Sequence, residues 1–260
     1  MANIFITGSA DGLGQLTAKA LVKAGHRVVL HARNEERGRQ ALAAVPGAQD
    51  VVIADFSSIE ETKVLADQAN ALGKFNAVIH NAGLYQVSRQ AKGPKEIPPL
   101  FAVNTLAPYI LTCLMEQPER LIYLSSGMHL QGDPGFDKIL EANKSSMDQF
   151  SYSDTKLHDL ILAMAVARKW PHVCANAVDP GWVPTKMGGS SAPDNLQKGF
   201  ETQVWLAASE EPDALLSGHY YHHKKQLNYL RAADNPEVQE NLLALCKKAT
   251  GISFPAANTA

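Results

Sequence analysis

Ile4-Phe5-Ile6-Thr7-Gly8-Ser9-Ala10-Asp11-Gly12-Leu13-Gly14 joins a short apolar run to a glycine-rich turn of the form G-x-x-x-G-x-G. Leu16, Ala20 and Leu21 then recur at helical spacing. Glycines let a backbone turn tightly and approach a ligand, and the start of a helix presents unpaired N–H groups. A turn that merely reverses the chain is the alternative, but the position between strand and helix favours a phosphate-binding turn.

The same alternation of strand and helix continues along the chain. Short runs rich in β-branched residues occur at Asn3–Thr7, Arg27–His31, Val51–Asp55, Ala77–His80, Leu121–Ser125 and Cys174–Val178. Helical spacing separates them, and Pro98-Pro99 can open a helix that continues through Cys113. Strands this apolar predict a parallel sheet buried on both faces, in one doubly wound α/β domain over residues 1–260.

Composition excludes several classes of protein. The formal charge of −2 provides no broad field for nucleic acid or an anionic membrane. The 3 cysteines are scattered, which argues against a disulfide framework, and no apolar run approaches membrane-spanning length. His219, His222 and His223 lack the further ligands that a metal site needs. We expect a cytoplasmic protein with no metal, no nucleic-acid partner and no membrane partner.

Two stretches interrupt the alternation. Residues 127–150 contain Gly132-Asp133-Pro134-Gly135 and form a longer connection than a strand and helix normally need, which predicts an insertion. Residues 184–199 contain Gly188-Gly189-Ser190-Ser191 and predict a loop that closes over a substrate.

Arg33 follows the second predicted strand, where a fold that prefers NAD usually carries an acidic residue for the ribose hydroxyls. A planar, permanently charged guanidinium suits a 2′-phosphate instead. We therefore predict NADP(H) in preference to NAD(H). The alternative is a solvated arginine at a strand end.

Tyr152 and Lys156 are one helical turn apart, so both can face one cleft. The spacing alone can arise by chance, so its context matters. Ser125-Ser126 ends the fifth predicted strand and Asp179-Pro180-Gly181 ends the sixth. Hydroxyls and turns therefore gather beside this helix at the carboxyl edge of the sheet, where ligands bind in such folds.

These motifs together resemble the short-chain dehydrogenase/reductase family over nearly the whole chain. The matching positions are Thr7–Gly14, Asp55, Asn81-Ala82-Gly83, Asn104, Ser126, Tyr152, Lys156 and Pro180-Gly181. The Ser126-to-Tyr152 interval, Arg33 and Ser217-Gly218-His219-Tyr220 are most similar to the retinol-dehydrogenase-like branch and its bacterial relatives. The resemblance implies a Rossmann fold, with helices on both faces of a mostly parallel seven-stranded sheet, and an oxidoreductase of carbonyls and alcohols.

The resemblance also implies a role for each catalytic residue. Tyr152 is the general acid in reduction and the general base in oxidation. Lys156 favours the phenolate and holds the nicotinamide ribose, because a nearby cation stabilises an anion. Ser126 donates to the substrate oxygen, and Asn104 completes a proton relay through water. A strand-end cap at Ser126 and a backbone-bonding helix residue at Asn104 are the structural alternatives.

A wider set of residues is implied around the cofactor: Gly8, Ser9, Asp11, Gly12, Leu13, Gly14, Arg33, Asp55, Phe56, Asn81, Ala82, Gly83, Tyr152, Lys156, Pro180, Gly181, Val183 and Thr185. Asp55 can equally cap its own loop. An apolar set predicts a pocket for a lipophilic or aromatic carbonyl compound: Leu84, Met128, Phe150, Trp182 and Met187. These five side chains can instead be core.

Three further alternatives stay open. The chain can be an NADP-sensing module that has lost catalysis, although intact Tyr152 and Lys156 oppose this. It can also reduce carbon–carbon double bonds on the same scaffold. Family members commonly pair through the helices around Asn104 and Tyr152, but the insertion at 127–150 can cover that surface, so a monomer is favoured over a homodimer.

Overall fold

The computed structural model describes residues 1–85, 97–136 and 150–257, and this part of the chain is built on one eight-stranded sheet. The strand order is β3-β2-β1-β4-β5-β6-β7-β8, with β1 to β7 parallel and β8 antiparallel to β7. The strands are β1 Asn3–Ile6, β2 Arg27–Ala32, β3 Asp50–Ile53, β4 Ala77–His80, β5 Arg120–Leu124, β6 Cys174–Asp179, β7 His219–His222 and β8 Lys225–Gln226.

The predicted strands and the doubly wound Rossmann fold are confirmed, but the predicted number of seven strands is wrong by one. The eighth strand is only two residues long, too short to show any alternating pattern. It follows a turn at His223 and Lys224, which have φ angles of 50° and 62°. Neither residue is a glycine, so the sequence carries no ordinary signal for a turn of this conformation.

Eight helices connect or flank the strands of the described ranges. They are α1 Gly12–Lys23, α2 Glu35–Ala44, α3 Ile59–Ala71, α4 Pro99–Phe101, α5 Ala107–Leu114, α6 Tyr152–Lys169, α7 Leu196–Ala208 and α8 Pro236–Thr250. A π-helical turn, Ala102–Leu106, joins α4 to α5, so the helix predicted to start at Pro98-Pro99 is confirmed with this irregular turn inside it.

Alternate residues of the strands pack on opposite faces of the sheet. Phe5 packs with the core of α3, α5, α6 and α8, whereas Ile4 and Ile6 pack with that of α1, α2 and α7. The strands are therefore apolar on both sides, as expected for a parallel sheet covered by helices on both faces. No helix within residues 1–85, 97–136 and 150–257 combines the length and apolarity needed to cross a bilayer.

The two irregular stretches are described only in part. Gly127–Gln131 forms a 3-10 turn directly after β5, while residues 137–149 of the predicted insertion lie outside the described residues. The predicted substrate loop leaves β6 and ends earlier than expected, because Asn195 caps α7 and the helix begins at Leu196.

His31 in β2, His80 in β4 and His158 in α6 are buried within the elements that form the sheet and cover it. Burial lowers the pKa of His31 to about 4 and the pKa of His80 and His158 to about 3. Hydroxyl groups approach two of the rings, with Thr112 Oγ1 3.3 Å from His80 Nε2 and Thr105 Oγ1 2.9 Å from His158 Nδ1. The folded chain therefore holds neutral imidazoles at these positions.

Mild acid is expected to destabilise the fold through these three histidines. Between about pH 6.5 and pH 4 the unfolded chain protonates them while the folded chain does not, so stability falls as the pH falls. Each histidine contributes a loss of about 1.4 kcal/mol per pH unit below its unfolded pKa. Urea denaturation at pH 7, 6 and 5 measures this slope.

His80→Gln should lower that slope by about 1.4 kcal/mol per pH unit, because one buried neutral imidazole is gone. His172→Gln, at an exposed position, is the matched control and should keep the slope of the wild type. A free energy of unfolding that is the same at pH 5 and pH 7 would contradict the prediction.

Candidate active site

The glycine-rich turn lies at the carboxyl end of β1, where close contacts require glycine. Gly8 and Gly12 have φ angles of 62° and 56°, in the left-handed region that favours glycine. A Cβ on Gly14 would lie 2.5 Å from Asn81 Nδ2 and 2.6 Å from the Gly8 oxygen. The turn, the start of α1 and the residues after β4 are thus packed against one another at the centre of the sheet edge.

Asn81-Ala82 holds this turn in place. Asn81 Nδ2 donates to the oxygens of Thr7 (2.8 Å) and Gly8 (3.0 Å). Thr7 Oγ1 accepts from the backbone N–H groups of Asn81 and Ala82 at 2.9 and 3.0 Å. The predicted cofactor residues Asn81 and Ala82, which follow β4, therefore support the turn, and Thr7 anchors it, a role that was not predicted.

His31 also supports the turn and was not foreseen. Its Nδ1 accepts from the backbone N–H of Gly8 at 2.9 Å, which leaves Nε2 to donate to the Ala54 oxygen at 3.0 Å. The ring stacks on Phe56, with centroids 4.1 Å apart. Only a neutral imidazole can accept a hydrogen bond at one ring nitrogen and donate one at the other. This agrees with burial, which lowers the pKa of His31. In the sequence, the sign of this role is a histidine within an apolar predicted strand.

Asp55 and Phe56, both predicted to bind the cofactor, make contacts within the protein. Asp55 Oδ1 accepts from the backbone N–H of Ser57 at 2.9 Å, which is the loop-cap arrangement weighed as its alternative. Phe56 is buried under the His31 ring. Their contacts with a cofactor stay a prediction.

The start of α1 is open to an anion. Asp11 is its N-cap residue but makes no side-chain capping bond, because its carboxylate contacts Arg37 and Lys186, the latter at 3.1 Å. Partial burial raises the pKa of Asp11, but Lys186 and Arg37 outweigh this effect and leave it lowered. A Cβ on Gly12 would meet no atom within 4 Å. Uncapped N–H groups and open space at this helix start fit the pyrophosphate of a dinucleotide.

Helix α6 presents the predicted catalytic pair. Ser151 and Asp154 form a capping box that fixes the start of the helix at Tyr152. Lys156 Nζ lies 5.6 Å from the centroid of the Tyr152 ring and donates to the Leu124 oxygen of β5 at 2.7 Å. The helix is tied to the strand a second time, since Ser125 Oγ donates to the Lys156 oxygen at 2.7 Å.

Ser126 lies where β5 ends. It is the N-cap of the turn Gly127–Gln131, and its Oγ accepts from the backbone N–H of Met128 at 3.2 Å. Accepting this bond does not use the hydroxyl proton, which is the donor that a developing oxyanion requires. The strand-end cap and the predicted catalytic role are therefore compatible.

Asn104 is fully buried in the π-helical turn. Its Oδ1 accepts from the Leu84 N–H at 2.7 Å, and its Nδ2 donates to the Leu84 oxygen at 2.9 Å and to Thr155 Oγ1 at 3.0 Å. A Cβ on Gly83 would lie 3.6 Å from Asn104 Oδ1 and 3.7 Å from Lys156 Nζ. The Asn104 side chain thus clamps the segment after β4 to α6, and the water relay stays a prediction.

The charges near Tyr152 include one that was not predicted from the sequence. Asp159, one turn beyond Lys156, accepts from Lys156 Nζ at 2.7 Å inside the protein. Burial raises the pKa of Tyr152, and the Lys156 ammonium opposes this rise. Asp159, Asp179 and Tyr85 add to the rise in the pKa of Tyr152. Only the position of Asp159, three residues after Lys156, could have indicated the pair.

The five predicted pocket residues fall into two groups. Leu84 and Phe150 pack against the core, with Phe150 stacked 4.8 Å from the Phe101 ring. Met128 is half-buried, whereas Trp182 and Met187 are 57% and 48% exposed on the segment after β6. Their contact with a substrate stays a prediction.

Two exposed aromatic side chains, Tyr85 and Trp182, make further contacts. Tyr85, which was not predicted, meets the Tyr152 ring edge-on at 4.9 Å and is 40% exposed. Trp182 Nε1 donates to the Gly188 oxygen at 2.8 Å, which orders the start of the substrate loop.

The remaining predicted residues lie after β6. Gly181 has a φ angle of 80°, and its N–H donates to Asp179 Oδ1 at 2.9 Å. Val183 is buried, and Thr185 Oγ1 accepts from the Gly188 N–H at 3.2 Å. The segment therefore leaves β6 beside α6 in an ordered turn. Among the described residues, no three His, Cys, Asp or Glu side chains are grouped as metal ligands.

Several known proteins are similar to this chain in sequence. A family model described as short chain dehydrogenase matches residues 2–127. An uncharacterized oxidoreductase of Emericella nidulans is 45% identical over 98% of this chain and 99% of its own length. A short-chain dehydrogenase of Penicillium rubens is 42% identical over 98% of this chain and 100% of its own length. Human retinol dehydrogenase 14 is 25% identical over 96% of this chain and 86% of its own length.

Solved structures share the fold. An uncharacterized Mycobacterium paratuberculosis protein superimposes with a TM-score of 0.80 at 22% identity, covering 98% of this chain and 95% of that protein. A blue fluorescent protein from a metagenomic library, in complex with NADPH, gives a TM-score of 0.66 at 16% identity, covering 84% and 94%. At these identities the superpositions show a common fold alone.

Proposed function

Because the chain belongs to the short-chain dehydrogenase/reductase family, we propose that it uses NADP(H) to interconvert a lipophilic or aromatic carbonyl compound and its alcohol. The observation that carries the proposal is the position of Tyr152 and Lys156 on α6, beside Ser126 and the glycine-rich turn at one edge of the sheet. The carboxyl edge of a doubly wound sheet is where such folds bind ligands.

Each side chain has a separate task in the reaction. Tyr152 gives its phenolic proton to the carbonyl oxygen in reduction and takes it back in oxidation. Ser126 donates a hydrogen bond to the same oxygen as negative charge grows there. Lys156 supplies the nearby positive charge, and its bond to the Leu124 oxygen holds it in place. The bound dinucleotide supplies the hydride.

The preference for NADP(H) rests on two arginines. Arg33 is exposed directly after β2, and Arg37 lies one turn further along, on α2, against the Asp11 carboxylate. Two guanidinium groups beside the glycine-rich turn suit the two negative charges of a 2′-phosphate. Arg37 extends the assignment made from Arg33 alone.

Exposed aromatic and apolar side chains support the proposed substrate class. Tyr85, whose ring contacts that of Tyr152, is exposed, as are Trp182 and Met187 on the segment after β6. Such surface favours an apolar or aromatic ligand. The name of the human relative, a retinol dehydrogenase, points to the same class of substrate.

We also propose that the protein is a monomer located in the cytoplasm. The helices through which family members commonly pair are covered here by the same chain. Tyr109 of α5 donates to the Ile252 oxygen at 2.7 Å, Trp170 after α6 donates to the Pro255 oxygen at 3.2 Å, and Lys169 Nζ lies 2.7 Å from Glu240 of α8. A second subunit would have to displace α8 and these contacts.

Tyr152→Phe is expected to abolish carbonyl reduction, because the phenol is the proton donor. NADPH oxidation at 340 nm with decanal, all-trans-retinal and acetophenone measures the rate, and we expect a loss of at least about a hundredfold. Tyr221→Phe is the matched control. The Tyr221 hydroxyl donates to the Asp213 oxygen, and its ring packs in the core beneath α1, α2 and α7.

Two results would redirect the proposal. Tight NADPH binding with no turnover of any carbonyl would favour a sensing module. Product analysis that found a reduced carbon–carbon bond in retinal, with its aldehyde intact, would favour a double-bond reductase.

Arg33→Ala and Arg37→Ala are each expected to weaken NADPH binding about tenfold or more and to leave NADH binding nearly unchanged. A charge-assisted bond to phosphate contributes about 1.5–3 kcal/mol, and NADH lacks that phosphate. Fluorescence titration with both dinucleotides measures the two dissociation constants. Arg39→Ala, on the exposed side of α2, is the control, and equal losses for NADPH and NADH would refute the assignment.

Light scattering behind a sizing column tests the monomer. The expected mass is that of one chain, 28.1 kDa, at every concentration. A stable mass of twice that value in dilute solution would overturn the proposal.

A further inference from the structure

Asp159 is a carboxylate buried beneath the reacting tyrosine. Tyr152, Lys156 and Asp159 lie at positions i, i+4 and i+7 of α6, so they share one face of the helix. Asp159 is 2% exposed, and most of its neighbours along the helix are apolar and buried. Burying a carboxylate is costly unless it is paired, so this position requires a partner.

That partner is the ammonium of Lys156. Lys156 Nζ donates to Asp159 Oδ2 and to the Leu124 oxygen, both at 2.7 Å, and both charged side chains are buried. Two of the three N–H bonds of the ammonium are thereby donated to groups other than Tyr152. The pair is neutral as a whole, so less positive charge acts on the phenol than an isolated lysine would provide.

Several other groups face this pair and the phenol. Asp179 at the end of β6 and Tyr85 after β4 both act against ionisation of Tyr152, as does Asp159 itself. Tyr123 of β5 faces Asp159, and its hydroxyl bonds to Thr112 Oγ1 at 2.7 Å. The Lys156 ammonium is the one group in this set that favours the phenolate.

We propose that Asp159 is a positioning residue for the reaction: its carboxylate holds the Lys156 ammonium against β5 and offsets that charge at Tyr152, so that the phenol remains protonated at neutral pH. The proposal rests on the proton-donor role proposed for Tyr152. Burial raises the pKa of Tyr152 in the same direction. Asp159 thereby prepares the site for carbonyl reduction rather than alcohol oxidation.

The proton balance explains the direction. In reduction, the O–H bond of Tyr152 breaks and its proton joins the substrate oxygen, while the carbonyl carbon accepts the hydride of NADPH. Solvent then returns one proton to the phenolate. A tyrosine that is protonated before the substrate arrives is ready for this step, whereas oxidation requires the phenolate and so becomes faster only at high pH.

The test measures the ionisation of Tyr152 directly. Tyrosine labelled with carbon-13 at Cζ is incorporated, and the signals of the 7 tyrosines are followed by NMR from pH 6 to pH 11. The Tyr152 signal is the one that Tyr152→Phe removes. In the wild type we expect its pKa at or above the ordinary value of about 10. Asp159→Asn should lower that pKa by about one unit or more, because the buried ammonium is no longer offset.

Two variants separate this effect from a general structural one. Asp159→Glu keeps the carboxylate and should restore most of the wild-type pKa. Asp67→Asn removes one negative charge at an exposed position of α3 and should leave the Tyr152 titration unchanged. A Tyr152 pKa that is unchanged or higher in Asp159→Asn would overturn the proposal.

If Asp159→Asn does not fold, the titration of Tyr152 in the wild type tests the proposal by itself. A Tyr152 pKa below about 8 in the wild type would show that Asp159 does not offset Lys156. Because the titration uses no substrate, its outcome is independent of the proposed activity. For a carbonyl that is reduced, the limb of the pH profile that reports Tyr152 should move to lower pH in Asp159→Asn by the same amount as the NMR titration.

Discussion

The parallel pairing of β1 with β4 is the contact on which the rest of the site depends. The chain builds β1, β2 and β3 outward on one side, and β4 then returns to pair with β1 through Ile4, Phe5 and Ile6. This reversal leaves a crevice between the carboxyl ends of the two strands. The glycine-rich turn follows β1 and Asn81-Ala82 follows β4, so the two segments meet there and bond to each other.

A second constraint comes from the burial of α6. Its residues from Thr155 to Val166 are buried on almost every side, since the sheet covers one face and α8 another. A helix in this position cannot carry a buried lysine unless the ammonium has hydrogen-bonding or charged partners. The Leu124 oxygen and the Asp159 carboxylate accept hydrogen bonds from the ammonium. Ser125 bonds to the Lys156 oxygen, and Asn104 bonds to the Thr155 hydroxyl. The polar groups that hold the catalytic pair therefore also satisfy the interior.

The residues missed by sequence reasoning share one property, which is that each acts through a partner distant in the chain or hidden by burial. His31 bonds to Gly8 across 23 residues, and Lys186 reaches Asp11 across 175. Tyr85 matters because its ring meets Tyr152. Asp159 is near Lys156 in sequence, but only its burial distinguishes it from a solvated charge on a helix surface. For His31, Lys186 and Tyr85, the spacing to the partner in the sequence is not one that a pattern search could recognise.

The sequence by itself determined the family, the doubly wound fold, the strands from β1 to β6 and the positions of the glycine-rich turn and of Tyr152 and Lys156. These features follow from local periodicity and from residue types at short spacing, which a single chain displays openly. Tertiary structure alone decided the eighth strand, the covering of α5 and α6 by α8, and the surroundings of Lys156. The physical reason is that burial and pairing of charges depend on which segments the fold brings together, and the local sequence does not contain that information.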